Sequence, residues 1–333
     1  MHEIDDIKKQ IGEEGFVGEC PAGVTCPFEK KSKEPAMKDI LHLQQTIEGH
    51  TDSVLSVAIS PDNSMCLSGS SDTTMRLWNL EKGVIMRIFE GHGYDVDAVA
   101  FSPKGTFALS GSWDNTIRVW DIKRGTLDKK IEGFSFYVRA VAISPDGRHA
   151  LVGTGDKSCM YVDLKEGRIL HTMIGHKNAV DAVAFISNDR GLTGSWDKAI
   201  NLYDLKEGKY LGTFEGHSGY VYSLAVSADG KHFLSGSGDN TLKLWDVSTG
   251  EAIRTFTGHT GHVNSVALSP DGKFALSGSS DKTLRVWDTN TGNCLQVVEA
   301  HVDKINSVAI SPNGRHALSC SSDKTIKSWT FTI

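Results

Sequence analysis

A dipeptide that returns every 42 residues sets the narrowest limit on how this chain can fold. Gly49-His50 recurs as Gly91-His92, Gly175-His176, Gly216-His217 and Gly258-His259, and once as Ala300-His301, with Gly133-Phe134 in the one remaining place. From the second residue of each pair to the next, the steps are 42, 42, 42, 41, 42 and 42. A fixed period in this range belongs to repeat architectures, in which each unit buries its apolar face only by packing on its neighbours.

Each unit carries the same internal pattern, and the second illustrates it. After Gly91-His92 comes a segment whose alternation puts Val96, Ala98 and Ala100 on one face, followed by Ser102-Pro103-Lys104-Gly105. Pro presets φ and Gly accepts positive φ, so this tetrapeptide is a turn. Phe107 to Ser112 forms the next strand, Trp113-Asp114-Asn115 a tight turn, and Thr116 to Asp121 a third strand before a short last segment. Four short strands in about 42 residues are the cue for a propeller blade.

The Gly-His opening and the Trp-Asp closing, as in Trp120-Asp121, Trp245-Asp246 and Trp287-Asp288, resemble the WD-repeat (WD40) family over residues 41 to 333. The resemblance implies an all-β, seven-bladed β-propeller, each blade a four-stranded antiparallel sheet. It also implies a buried tetrad in each blade, running from Trp N–H to a Ser or Thr hydroxyl, then His, then Asp. The matching sets are His50, Ser68, Asp72 and Trp78; His92, Ser110, Asp114 and Trp120; His217, Ser235, Asp239 and Trp245; His259, Ser277, Asp281 and Trp287; and His301, Ser319, Asp323 and Trp329. The fourth unit has Tyr203 in the Trp place, beside His176, Thr193 and Asp197. The third keeps only Asp156; its other places hold Phe134, Val152 and Val162, an exchange of polar bonding for packing.

The chain ends four residues past Trp329, so the last unit lacks its outer strand, and Leu41 to Ile47 is a strand without a unit. Pairing the two closes the ring and hides its edges. The domain expectation is therefore an extension over 1–38 and a propeller over 39–333. In the extension, Ile4, Ile7 and Ile11 have helical spacing, and Cys20 and Cys26 lie too far apart, with no nearby His, for a zinc site.

Net charge narrows the choice of partner. With 35 basic against 41 acidic residues, the chain lacks the footprint of a nucleic-acid binder. No run approaches 18 consecutive apolar residues, the start has no apolar signal region, and the scattered cysteines fit a reducing cytosol. A cytoplasmic protein is expected. Phosphate loops, nucleophile elbows and H-E-x-x-H are missing, so no catalytic, cofactor or metal residues are assigned. His149, His232 and His316 share one repeat position and so do not converge.

What remains after the scaffold is removed is lopsided. Trp113 and Trp196 precede the turn Asp, where the other units hold Ser71, Gly155, Gly238, Ser280 and Ser322. The family resemblance places this position on the partner-binding face around the central opening. A second position near the channel mouth holds Leu55, Asp97, Arg139, Asp181, Tyr222, Asn264 and Asn306, and nearby loops add Tyr94, Tyr137 and Tyr220. The expectation is a non-catalytic scaffold, a subunit of a larger assembly. It binds a protein or peptide through Trp113, Trp196, Asp97, Asp181, Arg139, Tyr222, Tyr137 and Tyr220. Two Trp beside two acids suit a partner's Lys or Arg side chain, unless Arg139 pairs with one of the acids first. The alternative is a small cationic ligand, or chemistry, at the channel mouth.

Overall fold

The computed structural model describes residues 39–332. The expected helix around Ile4, Ile7 and Ile11 and the Cys20/Cys26 pair lie outside the described residues. Among the described residues twenty-eight strands form seven four-stranded antiparallel sheets. β1 spans Leu41–Ile47, and the first blade follows as β2 (Val54–Ile59), β3 (Met65–Ser70), β4 (Met75–Asn79) and β5 (Val84–Phe89). β6 (Val96–Phe101) opens the second blade, β10 (Val138–Ile143) the third, β14 (Val180–Phe185) the fourth and β18 (Val221–Val226) the fifth. β22 (Val263–Leu268) opens the sixth and β26 (Ile305–Ile310) the seventh.

These seven opening strands pack one on the next and return from β26 to β2, which makes the ring. The seventh sheet has the order β1, β28 (Ile326–Phe331), β27 (His316–Ser321), β26. β1 pairs antiparallel with β28, Leu41 opposite Phe331 and Ile47 opposite Ile326, so the expected closure is present. Gln296 anchors the entry: its Oε1 accepts from the amides of Ile40 and Leu41 at 2.7 and 2.8 Å.

The tetrads hold from within the blades that carry them. In the second, Trp120 donates to Ser110 Oγ at 2.8 Å, His92 Nε2 meets the same oxygen at 2.7 Å, and His92 Nδ1 meets Asp114 at 2.7 Å. Burial opposes the charge on Asp114, yet bonds from His92 and Thr116 outweigh it and hold its pKa far down; burial pushes His92 down despite Asp114. The third blade has no such network. Phe134, Val152 and Val162 are buried together in an apolar cluster, as the substitutions imply.

Simple alternation fails in every opening strand. In β6, Val96 pairs with Ser112 but Ala98 with Gly111, so Asp97 is the extra residue of a bulge. Val96 then shares a face with Val99 rather than with Ala98 and Ala100, which corrects the expected parity. The register also shifts at Leu55, Arg139, Asp181, Tyr222, Asn264 and Asn306. A bulge bends the strand and re-aims its extra side chain. These seven are the residues expected at the channel mouth.

Candidate functional site

All seven bulge residues line one central cavity of about 310 Å³, together with small residues of the opening strands such as Ser56, Ala98, Ala140 and Ser265. Their chemistry is uneven round the ring. Asn264 and Asn306 each donate to the Ser before the turn Asp, Ser280 and Ser322, at 3.0 and 3.1 Å. Each also donates to a carbonyl of the next blade, Ile305 and Val54. Blades 2 and 4 solve the same problem with acids. Trp113 Nε1–H donates to Asp97 Oδ2 at 2.7 Å, and Trp196 Nε1–H donates to Asp181 Oδ2.

Arg139 lies between the two acids and pairs with one of them. Its Nη2 donates to Asp181 Oδ2 at 3.0 Å, and its Nε meets Asp181 Oδ1. The guanidinium also lies over Trp196, 4.9 Å from the ring centroid, and over Tyr137, at 5.7 Å. Burial disfavours the charge on Arg139, but Asp181 and Asp97 outweigh it and its pKa is raised. The place left by sequence for a partner's basic side chain, between Asp97 and Asp181, thus holds the chain's own arginine. Asp97 keeps no cation of its own. Burial raises its pKa to about 6, with the nearby Asp181 and Asp95 adding to the shift and Trp113 and Arg139 opposing it.

Outside this polar mouth the aromatic residues join into one arc. Trp113 stacks on Tyr137 at 5.0 Å between centroids, and Tyr137 touches Phe136 at 4.3 Å. Trp196 stacks on Tyr220 at 5.1 Å, Tyr220 meets Tyr222 edge-on, and Tyr222 reaches His262. Arg139, over both Tyr137 and Trp196, bridges the two halves. Trp113 and Tyr220 are each 41% exposed, Phe136 43% and the neighbouring Tyr94 64%. Trp196 and Tyr222 are half-buried.

All eight sequence-selected residues therefore come together, while Phe136 and His262 were missed. Their signal was weak: Phe136 precedes Tyr137 in a loop, and His262 precedes a strand. Gly155 and Gly238 stand in blades 3 and 5 at the turn position that Trp113 and Trp196 fill in blades 2 and 4. A Cβ on Gly155 would sit 2.4 Å from Tyr137 and 2.7 Å from Phe136, and one on Gly238 3.3 Å from Tyr222. In blades 3 and 5 the ring comes from the loop or strand, and the turn position is bare to admit it.

Among the described residues no group of three His, Cys, Asp or Glu is placed to hold a metal, and no helix is long and apolar enough to cross a membrane. Parts of the chain are similar to known proteins. The "Notchless protein homolog" of Arabidopsis thaliana is 48% identical over 44 residues, 13% of this chain and 9% of that protein. "Small ribosomal subunit protein RACK1z" of the same plant is 49% identical over 41 residues, 12% of each. Its "WD40 repeat-containing protein HOS15" is 31% identical over 80 residues, 24% of this chain and 12% of that protein. The chain thus spans only about a tenth of the length of these curated relatives. The WD40 family, "WD domain, G-beta repeat", matches far more, at residues 41–79, 83–121, 125–163, 167–204, 208–246, 250–288 and 292–330. Each matched copy begins with the outer strand of one blade and ends inside the next, as the β1–β28 pairing requires. With seven such copies closing one ring, the chain belongs to the WD-repeat family.

Proposed function

We propose that this propeller is a non-catalytic interaction platform, and that its working surface is the aromatic arc of blades 2 to 5 around the channel mouth. The observation that carries this is the clustering of exposed rings. Tyr94 and Trp113 lie on blade 2, Phe136 on blade 3 and Tyr220 on blade 5, whereas blades 1, 6 and 7 hold Ser71, Ser280 and Ser322 at the turn position of Trp113. Aromatic side chains of this kind are the usual anchors of protein interfaces, since they bury large area at low entropic cost. The partner is a protein or peptide, in keeping with relatives named as small ribosomal subunit proteins and with membership of a larger assembly. The buried, free thiols of Cys66, Cys159 and Cys320 suit a reducing, cytoplasmic setting.

A basic side chain of the partner fits best beside Asp97. Asp181 is already neutralised by Arg139, whereas Asp97 sits under Trp113 with Asp95 near by. A carboxylate under an indole offers a cation both charge and a π face. The same acid supports a second reading, a small cationic ligand held in the cavity itself.

Affinity capture with wild type and a Trp113→Ala, Trp196→Ala variant tests the surface. Those changes also remove the donors to two buried acids, so a companion Tyr94→Ser, Phe136→Ser, Tyr220→Ser variant leaves the acids bonded. Loss of the same partners from both, with the ring still folded, supports the arc. Retention by both overturns it. Thermal shift with methylguanidine or butylamine separates the second reading, for which stabilisation by the free cation is required.

A further inference from the structure

At four junctions of the inner wall a backbone amide is tied to a serine of the preceding blade, and at the other three that tie is missing. Val99 N–H donates to Ser56 Oγ of the preceding blade at 3.2 Å. Val266 donates likewise to Ser223 at 3.0 Å, Val308 to Ser265 at 3.0 Å, and Val57 to Ser307 at 3.4 Å. These bonds cross junctions 1–2, 5–6, 6–7 and 7–1. Asn264 and Asn306 add carbonyl bonds across 6–7 and 7–1. The repeat places Ala98, Ala140 and Ala182 where those serines stand, so the amides of Val141, Val183 and Leu224 face a methyl group.

The three junctions without a serine tie are those bridged by the aromatic arc and its ion pair. Trp113 on Tyr137 spans 2–3, Arg139 with Asp181 spans 3–4, and Trp196 on Tyr220 spans 4–5. At 2–3 and 4–5, stacked rings slide more easily than a hydrogen bond between a backbone amide and a packed hydroxyl, whose geometry is narrow, while 3–4 rests on the side-chain pair of Arg139 and Asp181. The outer rim stays linked at junctions 2–3 and 3–4, by Lys129 to the Lys165 carbonyl and His171 to the Lys206 carbonyl. At these two junctions any give is therefore confined to the inner end of the blades.

We infer that blades 2 to 5 form a compliant sector whose inner junctions are held by the side chains of the arc rather than by backbone ties, so that a ligand seated on the arc changes the spacing of these blades. The coupling to a ligand rests on the proposed docking face; the compliance belongs to the free protein. Sites that must adapt are drawn from the less protected parts of a fold.

Hydrogen exchange on the free protein, read by mass spectrometry, tests the compliance alone. Peptides covering β10, β14 and β18 exchange about three- to tenfold faster than those covering β22, β26 and β2, the range that one hydrogen bond's net contribution implies. An Ala98→Ser, Ala140→Ser, Ala182→Ser variant, copying the tied junctions, brings the two groups together. Equal protection in the wild type, or a folded variant with unchanged exchange, overturns the inference. Should that variant not fold, Ser265→Ala decides: faster exchange in β26 supports the role of the tie, and no change overturns it. None of these outcomes depends on a partner, so failure here leaves the docking face standing, and loss of the docking face leaves the compliance standing.

Discussion

The indole N–H of Trp113 and the carboxylate of Asp97 occupy two separate repeat positions yet act as one unit, joined at 2.7 Å. Asp181 and Trp196 repeat the unit two blades on. A carboxylate only accepts, so the turn position beside it must donate, and an indole does so. Where the bulge residue is Asn264 or Asn306, the amide itself donates and a Ser suffices. Trp113 and Trp196 thus have an internal duty as well as an outward ring.

Asp97→Asn separates the two. Burial raises the folded pKa of Asp97 to about 6, above the ordinary unfolded value of about 3.9. The folded state therefore holds this proton more tightly, and stability falls as pH rises from about 4 to about 6, the cost persisting above. Asn keeps an oxygen for the indole and removes the charge. At pH 7.5 the variant should be more stable by about 1–3 kcal/mol, seen as a Tm higher by several degrees, with the gain fading towards pH 4.5. A gain that does not change with pH would contradict the buried-charge account.

The tetrads predict an asymmetry between blades. Ser110→Ala removes one oxygen but leaves both the Trp120 and His92 nitrogens buried without a partner. Its cost should be about 2–4 kcal/mol in a denaturant titration, from two unsatisfied groups. Val152→Thr at the same position of blade 3 has nearly the same shape as the native residue, yet puts a hydroxyl among Phe134 and Val162 with no network to join. A cost of about 1–3 kcal/mol is expected there. Were Val152→Thr neutral, blade 3 would retain a hidden polar partner.

Much of this was legible in sequence because the repeat compares the chain with itself. Gly49-His50 and its copies gave the blade count, and Trp329 near the end with Leu41 before the first unit gave the closure. The bulges were not legible. An extra residue such as Asp97 leaves an apolar run looking regular, and only pairing with Gly111 and Ser112 exposes it. Arg139 could have turned to either acid, a choice made by geometry between blades. Gly155 is small because Tyr137 fills its space, and no local pattern links those two positions.

Ring closure depends on β1, so removing it should be far costlier than its length suggests. Leu41 and Ile47 are buried against Phe331 and Ile326, and the strand is the outer partner of β28. Deleting residues 1–47 opens this edge and should lower Tm sharply, with aggregation on heating. Leu41→Ala and Ile47→Ala should each cost about 2–4 kcal/mol by leaving a buried methyl pocket. An unchanged melting curve for the deletion would mean that the ring does not close through this strand.

Arg139 and Asp181 predict a cycle with unequal arms. Arg139→Gln leaves two acids, Asp97 and Asp181, facing each other across the cavity with no cation, and should cost about 3–5 kcal/mol at neutral pH. Asp181→Asn leaves Arg139 still facing Asp97, and its amide oxygen still accepts from Trp196, so its cost should be smaller, about 1–2 kcal/mol. The double variant removes both charges of the pair and leaves Asp97 as the one acid without a cation, and its side chains match the neutral amides that the sixth and seventh blades use at the same bulge. It should recover most of the cost of Arg139→Gln, because replacing both partners of a buried pair is commonly near neutral, the remainder being what Asp97 loses with Arg139. Urea titrations of the four proteins measure the coupling directly. Additive costs would mean that the two groups act independently and that solvent in the channel, rather than the ion pair, satisfies them.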